Sequence, residues 1–423
     1  MDVVTADVIG DIALVLGASY VFGALARRVG QPTVVGQIVA GIALGPSLLG
    51  RFPGHLSHRF FTTDAVPFLS VVAQIAVVVF MFGVGYEIEP RSIRNNRRPV
   101  LLIAIGAMVV PLALGSAVAL GVEHVGAFDG HHTVGRSFLL YMGVATSITA
   151  LPVLAAIVRE RGLAGSVVGD VATAAAGLMD VLAWLVLAVA LIGTKGAGSR
   201  SWSQTALLLV VFVAVMFLVV RPALQWWNRR PGSVMASQVP IALLLATAGA
   251  WATADLGLHP IFGAFVAGLA MPKPDGAPDA EVLRSTEQTG GLLLPLFFVV
   301  TGLTTNIGAL KGEDLALLAV ILVCSIGGKF AAGYATARLA GMDNRRSTMI
   351  GALVNTRGLT ELIALNVGLR AGIIDGRLFT ILVLMALITT AMTGPLITAI
   401  HKRDATALGI PDRAAATGAL DPS

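Results

Sequence analysis

Apolar stretches of about 20 residues recur from one end of this 423-residue chain to the other. Few folds accept such a sequence. A stretch of that length crosses the hydrocarbon core of a bilayer as a helix, where each backbone N–H and C=O finds its partner within the segment. Thirteen segments can be drawn, at 8–27, 33–50, 66–86, 99–121, 134–158, 165–193, 204–220, 236–254, 259–271, 288–303, 314–340, 346–369 and 378–400. The ninth and tenth are short, as tilted, broken or re-entrant segments are. Only 13% of residues are charged, against about 25% in soluble domains. The sequence predicts an all-α polytopic membrane protein with about 13 transmembrane helices.

The basic residues lie mostly in short loops, so the net charge of +5 does not indicate nucleic-acid binding. With the N-terminus outside, inside segments hold 19 Lys and Arg residues and outside loops hold 8. The positive-inside rule then sets the C-terminus in the cytoplasm. Two basic residues, Lys329 and Arg357, fall within spans. Asp2 and Asp7, rather than a basic region, precede the first span, which reads as a retained helix. Cys324 is the single cysteine, so neither an intrachain disulfide nor a thiolate metal site is expected. Arg outnumbers Lys 24 to 5, a hint of a GC-rich bacterial genome and so of a bacterial inner membrane. No P-loop and no Gly-rich dinucleotide turn is present, and no cofactor is expected.

Thirteen spans divide as six, one and six: a first repeat over 8–193, a linker helix at 204–220 and a second repeat over 236–400. Together they make a transmembrane domain of 1–403, with 404–423 as a short tail. An odd linker gives the second repeat the opposite orientation. In inverted-repeat transporters, interrupted helices at corresponding positions mark a midplane site. The fifth segment carries Gly143, Ser147, Thr149 and Pro152, and the twelfth carries Gly351, Asn355, Thr356, Arg357 and Gly358. They are the two segments richest in polar and helix-breaking residues.

Asp180 stands deep in an apolar run, where a carboxylate costs about 2.5–3.5 kcal/mol even on insertion scales. It reads as a site for a proton or a cation; the bland alternative is a polar residue satisfied by neighbouring helices. Thr146, Ser147 and Thr149 precede Pro152, which removes one helical donor and frees carbonyls near Ile148. Unwound, oxygen-rich backbone suits Na⁺ or K⁺, whereas the bland reading is back-bonding within a kinked helix. Lys329 is too deep to snorkel easily and implies an ion pair or a functional lysine. Arg357 and Glu361 are four apart, which gives an intrahelical ion pair, a gate or a support for the crossing. Asp170, near the inner end of its helix, reads as structural. His259 reads as a buried hydrogen-bonding histidine and not as a metal ligand.

Four stretches together carry a family resemblance: TSITALPVLA (146–155), MDVLAW (179–184), HPIFGAFVAGLAMP (259–272) with LFFVVTGLTTNIG (296–308), and GGKFAAGY (327–334) with NTRGLTELIALNVG (355–368). The chain resembles the second family of monovalent cation:proton antiporters, the branch of Kef-like exchangers and plant cation/H⁺ exchangers. The resemblance implies exchange of H⁺ for Na⁺ or K⁺ and a mobile core holding two crossed, broken helices. It also implies a dimerisation domain, a homodimer, and alternating access by an elevator-like movement. Asp180 matches the family's ion- and proton-binding aspartate and Lys329 its core basic residue. Ser147 and Thr149 match the first unwound crossing helix, and Asn355 to Gly358 the second. One departure is plain: the residue before Asp180 is Met179, where the family usually has Asp or Asn. With one acid, one-for-one exchange is the simpler expectation. A gated cation channel and an intramembrane aspartyl protease are the competing readings, and the second needs two deep aspartates.

Overall fold

The computed structural model describes residues 2–51, 61–62, 64–88, 96–124, 135–163, 165–191, 202–228, 238–273 and 277–407. The tail from 408 onward and basic residues such as Arg91, Arg94 and Lys195 lie outside them. Secondary structure among the described residues is helical. The first half holds α1 (Asp2–Arg28), α2 (Thr33–Leu44), α3 (Val66–Glu87), α4 (Arg97–His124), α5 (Arg136–Ser147), α6 (Leu151–Glu160) and α7 (Val167–Leu191). A largely exposed apolar rod follows, formed by α8 (Trp202–Val215), a π-helical segment (Met216–Val220) and α9 (Arg221–Asn228). The second half holds α10 (Val239–Asp255), α11 (Pro260–Ala270), α12 (Ala280–Leu303), α13 (Gly312–Leu339), α14 (Asn344–Val354), α15 (Leu359–Arg370) and α16 (Gly376–Ala407).

Nine spans among the described residues are long and apolar enough to cross a membrane, and three shorter apolar helices accompany them. The thirteen hydropathy segments differ from this set where helices are short or interrupted. The second segment ends at Leu44, before a Gly-Pro turn. The tenth begins eight residues earlier than hydropathy suggests, because Asp279 caps α12 through the N–H groups of Glu281 and Val282. The seventh runs on as a rod to Asn228. The twelfth is two helices, α14 and α15.

The two halves repeat one packing scheme. α1 packs on α2 as α10 packs on α11, and α2 on α12 as α11 on α3. α4 packs on α5 as α13 on α14, and α6 on α7 as α15 on α16. α3 with α12 and α4 with α13 join the halves. Helix association in lipid relies on close van der Waals approach, which favours small residues at contacts. A Cβ at Gly143 would lie 2.7 Å from the Leu112 carbonyl oxygen, and one at Gly351 would lie 2.9 Å from that of Phe330. These glycines occupy equivalent places in the two halves, α5 against α4 and α14 against α13.

The helices also sort into two bodies. One, the scaffold, holds α1–α3 and α10–α12; the other, the core, holds α4–α7 and α13–α16. The heaviest contacts fall within a body, while α2 against α16 is a light contact between them.

Candidate functional site

The site lies in the core, where two interrupted helices meet. α5 stops at Ser147 and α6 resumes at Leu151, leaving three residues extended. α14 stops at Val354 and α15 resumes at Leu359. Each break frees backbone groups, and buried groups of this kind need partners. Pro152 has no N–H to offer the Ile148 carbonyl. Ala150 N–H turns away from its own helix and donates to the Thr356 carbonyl of the other break at 3.0 Å. Leu151 N–H donates to Asp180 Oδ2 at 3.4 Å. The carbonyls of residues 145 to 148 are taken by two buried cations. Lys329 Nζ donates to the Ser147 and Ile148 oxygens. Arg357 donates to the Ala145 oxygen at 2.9 Å and to that of Thr146. Thr149 Oγ1 donates to the Val354 carbonyl at the end of α14 at 2.9 Å.

Arg357 therefore holds both helices. It pairs with Glu361 at 2.8 Å, both side chains fully buried, and it also crosses to the other break. The ion pair with Glu361 and the bonds across the breaks are present together, but Arg357 stands in the break before α15, so the pair is not intrahelical as the sequence suggested. Lys329 has a comparable job: its partners are carbonyl oxygens, so a charge from the position of Met179 is not needed to hold it. Met179 is itself at the crossing, with its Sδ 3.8 Å from Thr149 Oγ1.

The hydroxyls of Thr146 and Ser147 point at carbonyls. Thr146 Oγ1 lies 3.0 Å from the oxygens of Pro111, Met142 and Gly143, and Ser147 Oγ donates to Val144 at 3.1 Å. Back-bonding is the geometry they adopt here. Unused capacity lies elsewhere. Asp180 is fully buried and its Oδ1 has no hydrogen-bond partner. The same holds for both amide atoms of Asn355, Thr356 Oγ1 and Thr360 Oγ1, all buried. These buried atoms keep hydrogen-bonding or coordinating capacity that the protein itself does not use.

Lys329 lies within electrostatic reach of Asp180, and so does Glu87 at the end of α3. Glu87 had no distinct signal in the sequence beyond being an acid directly after an apolar run. Asp170 accepts from Gly165 N–H at 3.2 Å at the start of α7, the structural role expected. His259 lines a narrow cleft between the bodies with Gln74, Asn366 and Arg370. Its Nδ1 is buried without a hydrogen-bond partner. Among the described residues there is no cluster of His, Cys, Asp or Glu fit to hold a resident metal.

Two interrupted helices that cross beside a buried acid and a buried base, within repeated packing units, define an inverted-repeat membrane transporter fold. The model of the sodium/hydrogen exchanger transmembrane family matches residues 13–403, and the chain belongs to that family. It is 33% identical over 398 residues to the Na⁺/H⁺ antiporter NhaS4 of Synechocystis sp., covering 93% of this chain and 97% of that one. It is 36% identical over 403 residues to cation/H⁺ antiporter 20 of Arabidopsis thaliana, covering 92% of this chain and 48% of the relative. The chain thus spans about half the length of several plant relatives. The structure of the sodium proton antiporter MjNhaP1 from Methanocaldococcus jannaschii superposes with a TM-score of 0.68 at 14% identity, covering 93% and 96% of the two chains, and shares the fold.

Proposed function

We propose that this chain is a secondary antiporter that exchanges protons for Na⁺ or K⁺, with Asp180 as the site both compete for. The observation that carries this reading is a fully buried carboxylate with one oxygen held by the α6 N-terminus and the other without a protein partner. One carboxylate binds a proton or a monovalent cation, and either one cancels the charge that attracts the other. A bare anion is costly to move through a low-dielectric seam, so the loaded forms cross and the empty one does not. Competition for one group is then enough to couple the two flows. Asn355 and Thr356 supply further oxygens from the second break. Lys329 and Arg357 keep the crossing open by serving the freed carbonyls.

In this reading the core body moves against the scaffold in an elevator-like alternating access, and the light contact between the two bodies supports it. The N-terminus lies outside and the C-terminus in the cytoplasm of a bacterial inner membrane. The protein works as a homodimer joined through scaffold helices. The test is Asp180→Asn in proteoliposomes, with melting as a folding check. The variant inserts and folds, and its cation-dependent proton flux falls to background. Near-normal coupled exchange by a folded variant overturns the reading, and wild-type cation flux without counter-moving protons would mark a channel instead.

A further inference from the structure

Core and scaffold are bonded to each other around the C-terminal end of α12. Asn366, on α15 of the core, donates through Nδ2 to Thr301 Oγ1 on α12 of the scaffold at 2.9 Å. The same nitrogen donates to the Leu362 carbonyl of its own helix at 3.0 Å, so both amide hydrogens are used. Thr301 Oγ1 gives its own hydrogen to the Phe297 carbonyl at 2.8 Å, which leaves its oxygen to accept across the seam. A second bond follows the same scheme in the opposite sense. Thr380, on α16 of the core, donates to the Gly376 carbonyl at 2.8 Å and accepts from Asn306 N–H, just past α12, at 3.3 Å. Both threonines are buried. Beside them lies the narrow cleft that holds His259, where Ala73 and Gln74 of α3 face Asn366 and Arg370 of α15. Its space, about 10 Å³, is close to the least that admits one water.

We propose that the Asn366–Thr301 bond is a latch: with Thr380–Asn306 beside it, it seals this end of the seam and sets how often the core lets go of the scaffold there. The inference rests on the exchange reading above, in which the core moves. A buried donor or acceptor that loses its partner costs free energy until water replaces that partner. The core therefore cannot slide from this position on apolar contacts alone; it must first break both bonds. Breaking them parts α15 from α12 and lets water into the cleft between α15 and α3. The latch is weak by design of its chemistry, because neutral hydrogen bonds contribute little net stability. A seam held this way opens often enough for transport and stays shut for most of the time.

The test follows a reporter thiol. Ala73→Cys in a Cys324→Ala background puts the single thiol of the chain in the cleft, at a residue only 3% exposed. Its reaction with a charged thiol reagent is timed on the full chain in detergent, where the reagent reaches both ends of the seam. The parent should label slowly. Thr301→Val keeps the shape and removes the acceptor, and should speed labelling about fivefold, the shift given by loss of one hydrogen bond of ordinary net strength. Thr301→Ser keeps the hydroxyl and should label at the parent rate. Asn366→Leu should act about as strongly as Thr301→Val, and the double variant no more strongly, because either change removes the same bond. A parent that labels as fast as an exposed thiol, a parent rate in Thr301→Val, an equal gain in Thr301→Ser, or additive gains in the double variant overturns the latch. Melting checks folding; if Asn366→Leu or Thr301→Val does not fold, the other, set against Thr301→Ser, decides. Exchange is judged separately: wild-type vesicles without cation-dependent proton flux overturn the exchange reading, whereas the labelling rates judge the latch.

Discussion

At the scale of single residues, the crossing is held by buried cations bonded to carbonyl oxygens. Lys329→Gln shortens the side chain and removes the charge, so the Ser147 and Ile148 oxygens lose their donor. A buried acceptor without a partner costs about 1–3 kcal/mol. The variant should melt several degrees below wild type, measured by thermal unfolding in detergent, while its Na⁺-to-K⁺ preference stays as it was. A switch of preference at unchanged stability would contradict this account. Arg357 and Glu361 separate in the same assay. Glu361→Gln removes one partner of the pair, but Arg357→Met strips the pair and also the donors to Ala145 and Thr146. Breaking a buried pair costs about 3–5 kcal/mol, and Arg357→Met should be the more damaging of the two. Equal effects would mean that the bonds across the breaks contribute nothing.

At the scale of elements, the halves depend on helices that approach closely at small residues. Gly143→Ala drives a Cβ to within 2.7 Å of the Leu112 backbone oxygen, which a side-chain rotation cannot relieve. Overpacking of this kind costs about 1–3 kcal/mol. Gly291, in α12, has no atom within 4 Å of its Cβ position. Gly291→Ala should therefore hold or slightly raise the melting temperature, because Ala is the better helix former. If both changes melt alike, close packing of α5 on α4 is not what holds the core. Pro152 explains only part of the first break. It deprives Ile148 of a donor, but the second break, at 355–358, contains no proline. Pro152→Ala should keep the interruption and retain coupled exchange, because Ala150 stays bonded to Thr356 and the cations stay on the carbonyls. Loss of flux in a folded Pro152→Ala protein would show that proline alone makes the break.

At the scale of the whole molecule, the two bodies meet lightly, and the scaffold carries exposed apolar residues on α1 and α10, among them Tyr20, Val21, Leu25, Leu243, Leu244 and Trp251. Lipid tolerates such faces, so exposure alone does not select a partner. The homodimer proposed above makes a specific demand: cysteine pairs on scaffold helices should crosslink between subunits in native membranes, and pairs on the Asp180 helix should not. The reverse pattern would place the core at the interface and rule out its free movement.

The class of fold was readable from the amino-acid order alone, because hydrocarbon accepts only backbone that satisfies itself, and runs of apolar residues record that demand directly. It also marked Asp180, Lys329, Arg357 and Glu361, since ionisable residues at such depth are too costly to be incidental. The matched breaks at Thr146–Pro152 and Asn355–Gly358 were legible for the same reason: polar and helix-breaking residues stand out in an apolar run. Which group bonds to which emerges only when the helices pack. Whether a freed carbonyl meets an ion, a hydroxyl or a lysine depends on helices far apart in sequence, and α13 supplies Lys329 to a break some 180 residues away. Ser147 turns back on its own helix and Thr146 on its own helix and on α4, while Asn355 keeps its capacity unused, a distinction that polar character alone could not reveal. The approach of the α3 end to the Asp180 helix, at Ile88 and Gly177, likewise arises from packing between segments far apart in the chain.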